Sequence, residues 1–123
     1  MGWVKRLMGL EQGPMPVTVH DGNFDQEVLG SDLPVLLDVW SSTCAPCRKL
    51  EPIIVDLARA YDGRVKVCEM GVENGPRSAA RLGVRGTPTV VYLRGGEEVE
   101  RIVGFRGSLY HEQSIEELFG IPR

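Results

Sequence analysis

Between Pro34 and Trp40 the chain reads PVLLDVW, an apolar run of strand length with one acid, Asp38, set inside it. A short run rich in Val and Leu is the mark of a strand buried on both faces, because neither face can alternate with polar side chains. An ionised carboxylate in such a run is costly, so desolvation is expected to raise the pKa of Asp38. Directly after the run come Cys44 and Cys47, separated by Ala45 and Pro46. Leu50, Ile53, Ile54, Leu57 and Ala58 then recur at helical spacing. A close cysteine pair therefore falls where a buried strand gives way to a helix.

The rest of the chain continues this alternation. Val17 to Val19 reads as a short strand, and Asn23 to Leu29 as a helix opened by the turn and cap residues Asp21, Gly22 and Asn23. The helix after the cysteines is expected over 44–61, kinked at Pro52 and ended by Asp62-Gly63. A strand over 65–70 and a helix over 76–82 follow. Strands over 89–93 and 101–103 flank RGGEE, where Gly95-Gly96 supplies hairpin chemistry, and a last helix spans 114–119. This order predicts an α/β protein with a mixed central sheet flanked by helices on both faces. The middle strands are expected parallel, through right-handed crossovers, and the hairpin antiparallel at one edge.

Residues 1–15 read as an N-terminal extension to a domain over 16–123. Trp3, Val4, Leu7 and Met8 recur at helical spacing before Gly13, Pro14 and Pro16 break the pattern. The segment is either a frayed or locally docked tail or a short amphipathic helix that docks on a partner or a second copy. The sequence does not choose between them.

Composition narrows the function classes. At 123 residues, 42% hydrophobic and 25% charged, the chain suits one soluble domain, and a net charge of −3 gives no footprint for nucleic acid. No run approaches a membrane span, and the start lacks the apolar core and cleavage site of a secretory signal, so a cytoplasmic location is expected. Three cysteines exclude an even disulfide framework. In a reducing compartment a close pair is metal-binding or catalytic. Zinc would want two further ligands at matching spacing; Cys68, His20 and His111 occur singly, so no metal site is expected.

Residues three apart on a helix share a face, at a separation that suits a disulfide. The first cysteine would sit at the helix N-terminus, where free N–H groups and the helix dipole favour its thiolate near neutral pH. Cys47 lies a turn further in, shielded and less acidic. The asymmetry suits a two-step exchange in which Cys44 attacks and Cys47 resolves the mixed disulfide. Pro46 fits the first turn, where a missing N–H costs nothing. Asp38, behind the pair, can take the Cys47 proton.

The stretches VLLDVWSSTCAPCRKLEPI and GVRGTPTVVYLRGGEEVERIVGF together resemble the thioredoxins over about residues 16–120. They carry an acid six residues before the first cysteine, Trp40 four before it, Pro52 five after the second, then Gly-Thr-Pro-Thr and a glycine hairpin. The resemblance implies a thioredoxin fold with a sheet of about five strands. It assigns Cys44 as nucleophile and Cys47 as resolving thiol, with a cis bond between Thr87 and Pro88 that would present backbone groups to an extended substrate peptide. Trp40, Ala45, Pro46 and Gly104 join Thr87 and Pro88 in the expected substrate-binding surface. The implied activity is protein disulfide reduction on disulfide-containing proteins. The redox-active Cys44–Cys47 pair would need no cofactor, and a flavoprotein thioredoxin reductase using NADPH would restore it. A thiol oxidase or isomerase of the same fold, or a non-catalytic adaptor, are the alternatives.

The sequence also departs from that family. Where thioredoxins usually carry a lysine near the buried acid, this chain has Glu69. Glu69 either faces Asp38, so that the two titrate as one unit and it tunes the site, or turns outward to solvent or an arginine. Thr43 stands where the family usually has a tryptophan, which removes an apolar platform. Ala45 replaces a common glycine and adds no charge, which keeps the expected redox potential on the reducing side. Cys68 reads as a small buried hydrophobe, and the two histidines as surface or turn residues.

Overall fold

A computed structural model describes residues 13–123. Most of the expected N-terminal extension therefore lies outside the described residues. The elements are β1 (Val17–Thr18), the short helix α1 (Asp25–Leu29), β2 (Val35–Trp40), α2 (Ala45–Ala60), β3 (Lys66–Gly71), α3 (Pro76–Leu82), β4 (Thr89–Arg94), β5 (Glu97–Val103) and α4 (Ser108–Phe119). One sheet runs in the order β1-β3-β2-β4-β5. β1 and β2 are parallel to β3, β4 is antiparallel to β2, and β5 is antiparallel to β4. This is the mixed α/β sheet that the alternation predicts.

The apolar run forms the middle strand because it can be covered on both sides. Every residue of β2 from Val35 to Val39 is buried. Leu36 shares one face with Val67, Val90 and Tyr92, beneath Leu50, Ile54 and Leu57 of α2 and Ile115 of α4. Leu37 and Val39 share the other with Cys68, Met70, Val91 and Leu93, beneath Phe24 and Val28 and Ala79 of α3. Each large aliphatic side chain buried in this way contributes about 1.5–3 kcal/mol. The β4–β5 hairpin closes through Gly95 and Gly96, with φ of 61° and 80°. Two consecutive positive values make the turn whose twist matches the paired strands. Gly96 is also fixed by space, since an added Cβ would stand 2.9 Å from the Leu29 carbonyl oxygen.

Three boundaries differ from expectation by two residues or more, each for a local reason. α1 starts at Asp25 rather than Asn23 and is a single wide turn, closed by the Gly30 N–H donating to the Asp25 carbonyl five residues back at 2.8 Å. Asn23 is held in the preceding turn, where its Oδ1 accepts from the His20 N–H at 2.8 Å and its Nδ2 donates to the Thr18 carbonyl at 3.0 Å. β5 begins at Glu97, not Arg101, because Glu97 pairs with Arg94 although residues 97–100 are all exposed on the edge strand. α4 begins at Ser108 rather than Ser114. Its first turn exposes Leu109 and Tyr110 and buries His111 instead.

His111 thus contradicts the expectation of a surface or turn histidine: it is fully buried. Its Nδ1 shares a hydrogen bond with the Tyr92 hydroxyl, while its Nε2 has no hydrogen-bond partner among the described residues. Burial, with help from the Arg106 charge, lowers its pKa to about 4. Among the described residues no helix is long and apolar enough to cross a membrane.

Candidate active site

β2 ends at Trp40, and the chain turns through Ser41, Ser42 and Thr43 to Cys44, which caps α2 in an extended conformation with φ −104° and ψ 108°. In that position the Cys44 Sγ stands in front of the helix's free N–H groups and accepts from the Cys47 N–H at 3.2 Å. Pro46 occupies the first turn, where no N–H is required. Cys44 and Cys47 are joined as a disulfide across a Cα separation of 5.3 Å. Cys44 retains 9% exposure and Cys47 only 1%, so the first sulfur is the more accessible. Ala45, Pro46 and Thr43 are exposed around it. The turn is clasped from the side by Glu73, whose Oε1 accepts from the Ser42 N–H at 3.0 Å and the Ser42 hydroxyl at 2.9 Å. Those bonds, the backbone one first, hold the Glu73 carboxyl below its ordinary pKa.

A second loop meets this turn. The Thr87–Pro88 bond is cis. Thr87 Oγ1 and Ser41 Oγ share a hydrogen bond at 3.1 Å, tying the proline loop to the end of β2. Gly104 donates its N–H to the Pro88 carbonyl at 2.8 Å, and its φ of 92° lies in the region where glycine carries no steric cost. The fold thus brings the cysteine turn, the proline loop and the end of β5 together. On either side of Gly104, Val103 is 63% exposed and Phe105 39% exposed. The sequence reading missed both; the available signal was a pair of apolar residues flanking a glycine at the end of a charged edge strand.

The acids lie inside. Asp38 shares the face of Leu36, beneath α2, and pairs in register with Glu69 of β3 and Val90 of β4. It is 1% exposed, and neither carboxylate oxygen has a hydrogen-bond partner among the described residues. Burial, then the charges of Glu69 and Glu51, push its pKa well above the ordinary carboxylate value. Of the two orientations open for Glu69, the inward one is found. The residue is 3% exposed; its Oε1 accepts from the Trp40 indole N–H at 2.7 Å and its Oε2 from the Thr18 hydroxyl at 2.7 Å. The half-buried Trp40 ring covers Gly71, where an added Cβ would come within 3.2 Å of it. Glu51, which the sequence reading passed over, is buried on α2. Its signal was positional, since 47, 51, 54 and 58 form one helical stripe and the other three are apolar. Cys68 is fully buried, and burial pushes its thiol up to about 12.

A buried carboxyl without hydrogen-bond partners is a cost to folding. Its folded pKa lies above its unfolded value, so the penalty is present at neutral pH and vanishes as pH falls towards the unfolded value near 4. Replacing Asp38 by asparagine is expected to raise the unfolding free energy by about 1–3 kcal/mol at neutral pH. Urea unfolding at neutral and acid pH checks this: the gain must shrink in acid, and equal stabilities at neutral pH would remove the argument.

Among the described residues no group of three or more His, Cys, Asp or Glu side chains is arranged to hold a metal ion. The family model described as Thioredoxin matches residues 15–117. The chain is 41% identical to Thioredoxin 1 of Nostoc sp. over 86 residues, covering 70% of this chain and 80% of that protein. It is 41% identical to a thioredoxin of Rickettsia bellii over 90 residues, covering 73% and 86% respectively. It is 38% identical to the chloroplastic Thioredoxin M-type of Pisum sativum over 86 residues, 70% of this chain and 50% of that protein. With the cysteine pair bonded at the mouth of α2 and the sheet in place behind it, the chain belongs to the thioredoxin family and is a dithiol–disulfide oxidoreductase.

Proposed function

We propose that the protein reduces disulfides in other proteins, with Cys44 as nucleophile, Cys47 as resolving thiol and Asp38 as the proton acceptor. The observation that carries this is the inequality of the two sulfurs: Cys44 Sγ caps the helix and is the more exposed, while Cys47 is buried one turn inside. In the reduced protein the Cys44 thiolate attacks one sulfur of the substrate disulfide, and the other leaves as a thiolate and takes a proton. Cys47, giving its proton to Asp38, then attacks the Cys44 sulfur and expels the second substrate thiol. The substrate gains two electrons and the Cys44–Cys47 disulfide forms. No cofactor is required in this chain; the electrons are held by the cysteine pair. A dithiol donor must restore it, and a thioredoxin reductase is the partner that suits. A compartment kept reducing, such as the cytoplasm, matches this direction of flow.

Trp40, Ala45, Pro46, Thr87, Pro88 and Gly104 form the proposed substrate-binding surface. The convergence of the proline loop and the end of β5 on the cysteine turn supports it. Insulin reduction by dithiothreitol is the test. The 123-residue protein is expected to accelerate insulin precipitation well beyond dithiothreitol alone, and a rate equal to that background would overturn the reading.

A further inference from the structure

Behind the cysteine turn, Glu69 of β3 stands in register with Asp38, one strand away. The hydrogen bonds that each acid receives differ. The Trp40 indole nitrogen can only donate a hydrogen bond, so Glu69 Oε1 must accept. The Thr18 hydroxyl is directed at the second oxygen. These two bonds fix the Glu69 carboxyl in place, one from each neighbouring element. Asp38 receives none among the described residues. Around Asp38, β3 contributes Glu69, α2 contributes Glu51, and β4 contributes the apolar Val90. Among the described residues, both charged groups acting on it are thus carboxylates. Carboxyls this close in a buried site cannot all ionise cheaply, and burial, then Glu69 and Glu51, make the charged form of Asp38 the costly one.

We propose that Glu69 is a positioning residue of the exchange reaction: a buried carboxyl fixed by Trp40 and Thr18 beside Asp38, it keeps a proton on Asp38 at neutral pH and moves to more alkaline solution the step in which Asp38 accepts the Cys47 proton. This rests on the reading of Cys47 as resolving thiol and Asp38 as its proton acceptor. The proton balance is simple. Before Cys47 can release its proton to Asp38, the carboxyl must lose its own to solvent, so the competent fraction rises with pH. In the reverse step, a donor thiolate attacks Cys44, the Cys44–Cys47 bond breaks, and Asp38 returns a proton to the leaving Cys47 thiolate.

Glu69→Gln is the informative variant, because its amide oxygen can still accept from Trp40 and its amide nitrogen can meet Thr18. The pH profile of insulin reduction is expected to move its midpoint downward by about one unit in this variant, so that it is up to about tenfold faster than wild type on the acid side. Identical midpoints in the two proteins would overturn the proposal. A second measurement does not depend on turnover. Wild type at neutral pH is expected to show the infrared carbonyl band of a protonated carboxyl that Asp38→Asn removes. A wild-type spectrum without such a band would equally overturn it. If wild type reduces no insulin at any pH, the underlying reading fails instead; with activity present and midpoints shared, only the role of Glu69 fails.

Discussion

Serine in place of Cys44 is expected to lower insulin reduction by more than about a thousandfold, to the background of dithiothreitol alone. The reason is electronic before it is geometric. A thiolate at a helix N-terminus is populated near neutral pH, whereas a serine hydroxyl in the same place stays protonated and attacks sulfur poorly. Serine still caps a helix, so the fold should survive the exchange and the loss can be read as chemistry. Neither remaining thiol is placed to substitute: Cys47 is only 1% exposed, and Cys68 is fully buried with its pKa pushed up to about 12. The companion variant Cys47→Ser separates the two steps. It keeps the attacking sulfur but lacks the resolving one, so substrate is expected to accumulate as a mixed disulfide, visible by mass and released by dithiothreitol. Turnover surviving in Cys44→Ser would locate the nucleophile elsewhere.

The second large effect concerns acid. His111 has a pKa of about 4 in the folded protein, below the ordinary value near 6.5 that applies once the chain is unfolded. Above the higher value the imidazole is neutral in both states and contributes nothing to pH dependence. As pH falls between the two, the unfolded chain takes up a proton that the folded one refuses, and stability is lost by about 3 kcal/mol in total. That is a large share of the roughly 5–15 kcal/mol typical of a domain. Asp38 works in the opposite sense, gaining stability in acid, so the wild-type curve alone mixes the two. The difference between wild type and His111→Leu isolates the histidine. At neutral pH the variant is expected to be the weaker, because the Tyr92 hydroxyl loses its bond to Nδ1. From neutral pH to pH near 4 it is expected to lose about 3 kcal/mol less than wild type. Parallel curves from urea titrations would show that His111 is not held neutral.

What could be read from the sequence was whatever packing writes into a period. β2 and α2 declare themselves because Val35 to Val39 and the Leu50, Ile54, Leu57 stripe are buried by the elements that flank them. The cysteine spacing at their junction then located the reactive turn. What the period cannot show is a polar residue buried by its partners. His111 opens the interior stripe of α4 four residues before Ile115, but an imidazole carries no apolar signal, and the exposed Leu109 and Tyr110 point the pattern the wrong way. Glu51 was hidden for the same reason. Glu69 could be flagged as a departure, yet its direction depended on Trp40 and Thr18, the second of them 51 residues away in sequence. The edge strand β5 was foreshortened because exposed glutamates pair through their backbone alone.

The position of β2 has a consequence for how the molecule breathes. It is bonded to β3 along one edge and β4 along the other, with both faces covered. Backbone amides in such a strand exchange with solvent only when the whole domain opens. The reactive turn is thus suspended from a strand whose amides are expected to be among the slowest to exchange.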